Sequence, residues 1–503
     1  MFHQTRTFVV ALGMGPLCVV GSALAADAPA VVQPEVRVGE SPSPLATADA
    51  SLRGFIVSDG RPLTIEEVGK RASSSSPDAA LKLAAAASAK AREDEAVANL
   101  WPRLQLQARY SRTSALVFPP FGVVPGASAP ANTVITVDPA TGQTNVPLVI
   151  PGGYSLPVNN LVTQATLNVP LSDYVFRLTT AIKTAEHSAA AAVIEEKAAR
   201  LQAAADAKLR YLQWLSARAQ ARVAEQLLSQ ARAHERDAQR VYQAGLLSRA
   251  DLLRAQAQIH GVELLLVRSQ QGEALAREAL RIAIRDEDKT PWAVGDDVLA
   301  QISPLPANAD PDALVGEALA KRLEIRALAE GDASLASLVS LARTQQYPRV
   351  DLAGNFIYAN PNPRYFPPQD RWDKSWDASV VLTWTPTDIP GARAVVREQR
   401  AKQGELAAQR QRLLDAIRME VTQALQSVRE AEASLTSAAE GLIASEESHR
   451  VRNELFRAGK ATTVEVVDAQ VELSRARIDL VNAHVADHAA RLRLEHATGR
   501  DVL

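Results

Sequence analysis

Cysteine is almost missing: the 503 residues include one, Cys18. It lies in an apolar N-terminal segment, so the processed chain is expected to have no thiol and no disulfide. Net charge of one sign is missing too. A balance of −2 leaves no basic footprint for nucleic acid. Beyond the N-terminus no run is long and apolar enough for a transmembrane helix. No phosphate-binding Gly-rich loop and no Gly-x-Ser-x-Gly elbow occurs, and aromatics make up only 5%. The chain is read as neither an enzyme nor a cofactor binder. Glycine and proline are absent from Tyr174 to Arg240, which at ~1.5 Å per residue predicts a helix of roughly 100 Å.

What is present is Ala, Leu, Arg, Glu and Gln in abundance, the composition of long helices. The N-terminus reads as a secretory signal over residues 1–25: Arg6, an apolar Phe8–Leu24 and the small-residue site Ala23-Leu24-Ala25. A short membrane anchor is the alternative. Residues 26–60 read as a flexible leader rich in Pro, Ala and Ser.

A repeat organises the remainder. Tyr242–Gln256 and Phe456–Gln470 match in register, 456 − 242 = 214, as far as Leu280 and Leu494. Each copy reads as the tip of a helical hairpin. Gly245 and Gly459 end the incoming helix. Ser248 and Thr462 cap the outgoing one, with Asp251 and Glu465 at capping-box spacing, the aspartate being the weaker version.

Each half carries the same plan. A short helix at Leu63–Lys70 and a second ending near Leu100 precede Trp101-Pro102-Arg103; a helix over Leu314–Gln346 precedes Tyr347-Pro348-Arg349. Alternating strands are expected at about 103–112 and 162–170, then at about 350–358 and 376–385, with one apolar and one polar face. They are either solvent-facing strands of a soluble sheet or membrane strands. Residues 113–161 read as a long loop with room for a small hairpin. The first repeat spans 61–286 and the second 313–499, joined by a Pro-rich linker at 287–312. The second half also has a long helical run, Ala392–Ala458, and a return, Lys460–Thr498.

The fold class is mainly α with a β part of four strands, a membrane β part if they meet lipid, and a two-fold internal repeat. Four strands cannot close a barrel, for which about eight is the lower limit. An open sheet cannot lie in lipid, because its edges leave backbone groups unpaired. Either the strands are outside a membrane or several chains pool them. Three copies would give twelve strands and twelve helices, but the sequence does not fix the number.

The doubled Gly-x-x-Ser/Thr-x-x-Asp/Glu tips, the Trp/Tyr-Pro-Arg entries to paired strands and the signal peptide together resemble the TolC family of outer membrane efflux proteins. The likeness covers roughly residues 60–500. It implies a homotrimer with a twelve-stranded β-barrel in outer membrane lipid and a long periplasmic α-barrel of twelve helices. It also implies a periplasmic adaptor and an inner membrane transporter as partners, in a tripartite pump or type I secretion system. Glu465 and Asp468, spaced i, i+3, share a helix face. The resemblance makes them an acidic ring at the periplasmic entrance, where crowded like charges favour cations; a capping box plus one solvated acid is the plainer reading. Tyr242, Gly245, Ser248, Asp251, Phe456, Gly459 and Thr462 are candidates for adaptor contact, or ordinary cap packing. Tyr365, Phe366, Trp372 and Trp376 form a candidate interfacial girdle, or loop packing. His484 and His488 have metal-compatible i, i+4 spacing but no third ligand, and read as solvated helical histidines. The competing function is a soluble periplasmic coiled-coil adaptor or scaffold.

Overall fold

The computed structural model describes residues 60–115, 136–137, 144–145 and 157–501, apart from positions 246, 289, 298, 300–301, 307 and 367. The signal segment and nearly all of the leader lie outside the described residues.

The repeat is realised as two long hairpins. Helix α4 (Leu178–Gln243) runs for 66 residues and returns as α5 (Arg249–Ile284). Its counterpart α8 (Ile389–Arg457) runs for 69 and returns as α9 (Thr463–Thr498). Ahead of each hairpin stand two shorter helices, α1 (Ile65–Ser75) and α2 (Pro77–Ala98), then α6 (Pro311–Lys321) and α7 (Leu323–Thr344). A six-residue α3 (Leu171–Phe176) precedes α4, separated from it at Arg177. Pro390 and Gly391, expected to close a strand, lie in the first turn of α8, where proline's missing N–H costs nothing.

The segment 314–346, expected as one helix, is two. Arg322 adopts extended backbone, φ −62° and ψ 129°. The same break occurs at Ser76, φ −61° and ψ 132°. The offset of 246 residues, 76 to 322, equals that of the Pro-containing strand entries, 101 to 347, so the break belongs to the duplication. Pro77 explains the first copy, since proline at N1 starts a helix anew. In the second, Arg322 is buried and its guanidinium binds Glu324 at 3.0 Å and the Glu420 carboxylate of α8. A buried cation needs such partners, and the break aims it at them.

The linker is also more than a linker. Trp292–Val294 forms β6, which pairs in parallel with β1 (Arg61–Leu63). Trp292 is fully buried and meets Trp214 of α4 edge-on at 5.9 Å, in a cluster that includes Tyr211, Leu63, Leu212 and Leu280. The Tyr211 hydroxyl donates to the Leu63 carbonyl at 2.8 Å. The second half answers with Val315 and Ala318 of α6 against Ile417, Val421 and Leu425 of α8 and Leu494 of α9. Between the hairpins the seam is partly polar: Ser216 to Asn482 at 2.7 Å, Gln470 to Gln230 at 3.2 Å and Arg477 to Gln226 at 3.2 Å.

Four strands make one antiparallel sheet in the order β2 (Arg103–Arg112), β5 (Asn159–Val169), β7 (Arg349–Asn360), β8 (Asp373–Thr383). All but the first run past their expected bounds, β5 and β8 by three residues at the start; β8 also stops two residues short of Thr385. The 113–161 segment does carry a small hairpin, β3 (Thr136–Val137) with β4 (Thr144–Asn145). Among the described residues, no helix is long and apolar enough to cross a membrane.

Candidate functional site

The tips are capped as their sequence requires. Gly245 and Gly459 take φ of 77° and 69°, a region side chains resist. Their N–H groups donate to the carbonyls of Tyr242 and Phe456, each at 2.9 Å. Ser248 Oγ accepts the Asp251 N–H at 3.1 Å, and Thr462 Oγ1 accepts that of Glu465 at 3.4 Å. Both hydroxyls donate back to the carboxylates, at 2.6 Å and 3.2 Å.

The two tips then diverge. Glu465 also meets Arg452 of α8 at 2.9 Å, an ion pair spanning the hairpin. The equivalent of Arg452 in the first copy, 214 residues earlier, is Ala238, fully buried beside Leu252 and Ala255. Asp251 instead faces Arg254 on its own helix at 3.6 Å. Arg452 was missed from the sequence, although aligning the copies at that offset exposes the exchange of alanine for arginine. Asp468 is exposed one turn beyond Glu465. Phe456 turns inward, its ring 5.3 Å from that of His234 on α4; Tyr242 stays exposed. Burial lowers the His234 pKa below the ordinary imidazole range.

Of the two histidines read as solvated, His484 is buried and His488 half-buried. The return helix α9 packs on both α8 and α4, so fewer of its faces reach water than an amphipathic surface helix would show. Among the described residues, no three His, Cys, Asp or Glu side chains could hold a metal ion together.

The sheet has two unlike faces, fixed by strand alternation and register. On one, Leu106, Ala165, Phe356 and Trp376 lie in a row across all four strands, and the neighbouring Leu104, Val380 and Leu382 extend it. Leu106 and Trp376 are each 75% exposed. The opposite face carries a polar row. Thr166 donates to Asn355 at 3.0 Å, and Asn355 to Asp377 at 3.0 Å. Strands β2 and β8 each have one partner, leaving an open edge on either side among the described residues.

The four girdle aromatics divide. Trp376 belongs to the apolar face, and Trp372 stacks on Tyr358 of that face at 4.9 Å. Tyr365 and Phe366 stand on the loop between β7 and β8.

Comparison with known proteins agrees with this arrangement. The family model for outer membrane efflux proteins matches residues 68–284 and 314–500. The outer-membrane channel OprN has a similar fold: TM-score 0.68, 18% identity, covering 86% of this chain and 89% of OprN. CusC, described in terms of folding and transmembrane channel formation, gives 0.69 at 16% identity, covering 86% and 92%. The outer membrane protein VceC from Vibrio cholerae gives 0.65 at 19%, covering 86% and 96%. No curated protein sequence matches the chain. Two copies of one plan, each matched by the family model, leave no ambiguity of family: the chain belongs to the outer membrane efflux proteins.

Proposed function

We propose that this efflux channel protein is the outer membrane exit duct of a tripartite pump or type I secretion system, a passive trimeric conduit for small molecules. The observation that carries this reading is the four-stranded sheet with two open edges and one exposed apolar face. Exposed strand edges and exposed leucines are both unfavourable for an isolated chain in water. Both are relieved when three copies join edge to edge in lipid, giving twelve strands, within the range of membrane barrels. The apolar face then meets outer membrane lipid, the polar face lines the conduit, and the hairpins extend into the periplasm. There the tips, with Tyr242, Gly245, Ser248, Asp251, Phe456, Gly459 and Thr462, are offered to a periplasmic adaptor beneath an inner membrane transporter.

Membrane fractionation followed by native mass measurement tests this. A detergent-requiring trimer in the outer membrane fraction is the expected result. A monomer released without detergent would instead identify a soluble periplasmic adaptor.

Glu465 and Asp468 are proposed to set ion preference at the periplasmic entrance. The Arg452 pair gives the effect two signs. Removing both acids (Glu465→Ala with Asp468→Ala) should lower cation selectivity in planar bilayers. Arg452→Ala, which frees the Glu465 charge, should raise it. Reversal potentials that move in neither case would exclude these side chains from the permeation path.

A further inference from the structure

The loop between β7 and β8, described at residues 361–366 and 368–372, does not stand clear of the sheet. It folds back over one face, and the register shows which. Asn362 is 1% exposed. Its Nδ2 donates to the Asp373 carbonyl at 3.0 Å and to Ser375 Oγ at 3.1 Å. Its Oδ1 accepts the Arg364 N–H at 3.0 Å, turning the chain. Arg364 then pairs with the Asp377 carboxylate. Ser375 and Asp377 are opposite Ile357 and Asn355, so both contacts with strand side chains are on the polar face. The burial agrees. Ile357 and Ala359, on that face, are 8% and 0% exposed, although an uncovered water-facing sheet would leave them open. The returning limb is anchored on the other side by Trp372 on Tyr358.

We propose that this loop is a lid over the outer mouth of the conduit, held shut by Arg364 on Asp377, and that it sets the size of solute that can pass. The inference rests on the polar face being the lining of the duct. Arg364 reaches inward past the final rung of the ladder, Ala359 opposite Asp373, to the third residue pair on that face. Three copies arranged about one axis would bring three such loops toward the centre of a single opening. The clamp is one charge-assisted contact at the rim, strong enough to hold a closed position and weak enough to break when cargo presses from within.

The test uses a reporter thiol below the lid. Ser379 is exposed on the polar face, opposite Ala353 and one pair deeper than Asp377. The full chain with Ser379→Cys and Cys18→Ser is expressed in intact cells, and maleimides are added to the medium. A small maleimide should label it with or without the clamp. A bulky polymer-linked maleimide should label the parent slowly and the Arg364→Gln variant about tenfold faster, the shift expected on losing one hydrogen bond to a charged group. Exchanging the pair, Arg364→Asp with Asp377→Arg, should restore slow labelling while either reversal alone does not. This rescue separates a broken clamp from a misfolded barrel. Equal bulky-reagent rates in parent and Arg364→Gln would overturn the lid. A thiol that even the small reagent cannot reach would overturn the water-filled lining itself, and the exit-duct reading with it.

Discussion

Leu106→Arg should abolish assembly into the membrane, while Gln107→Arg, one residue away, should leave it nearly intact. Leu106 stands in the apolar row with Ala165, Phe356 and Trp376, about midway along β2. An arginine on the lipid face of a membrane barrel costs about 2–4 kcal/mol near the bilayer midplane. Three copies per barrel would raise this to roughly 6–12 kcal/mol, comparable to the whole stability of many folded proteins. Gln107 alternates to the polar face, where a further cation meets water and should change stability by no more than about 0.5 kcal/mol. The measurement is the fraction of each variant recovered as a detergent-extracted trimer. Equal recovery of the two would show that the sheet does not face lipid.

Trp292→Ala should lower stability by about 3–5 kcal/mol, the usual cost of truncating a buried aromatic. The side chain is fully buried against Trp214 and holds β6 beside β1. Its ring nitrogen also donates to Asp286 at 3.2 Å, a bond that the alanine cannot replace. Trp292→Phe keeps most of the packing and should cost much less. Denaturant titration in detergent gives the comparison. An alanine variant within about 1 kcal/mol of the parent would show that the bridge adds little, since typical substitutions cost that much.

These two positions mark what the sequence disclosed and what it withheld. Leu106 was legible because a strand's period of two is written along consecutive residues. The long helices were legible for a similar reason: few breakers interrupt them, and the tips carry glycine and hydroxyl caps at fixed spacing. Trp292 was not. Its strand has three residues, too few for a period, and its partner Arg61 is distant in the chain. The segment's prolines pointed to a connector and hid the pairing. The break at Arg322 was equally silent, because it has no Pro or Gly and one carboxylate that holds the buried guanidinium, Glu420, is on another helix. For the candidate site, the caps at Ser248 and Thr462 could be read locally, but the Arg452–Glu465 pair depends on two helices meeting. The loop at 361–372 could be recognised as a loop from its prolines. The face it covers depends on register between strands, which no single segment records.

The two tips are closed unequally, and salt should act on them unequally. The first buries Ala238, Leu252 and Ala255; the second buries Val466 and Ala469 at the positions of the last two and puts an exposed ionic bond, Arg452 to Glu465, where the first has its alanine. Dissolved electrolyte screens the ionic bond and leaves the apolar contacts of both tips in place. If copies alternate these hairpins around a circle like staves in a cask, every other stave would lose one ionic tie between its limbs as brine thickens, while its neighbours have no such tie to lose. Ionic strength, rather than osmotic pressure, would thereby act on alternate tips.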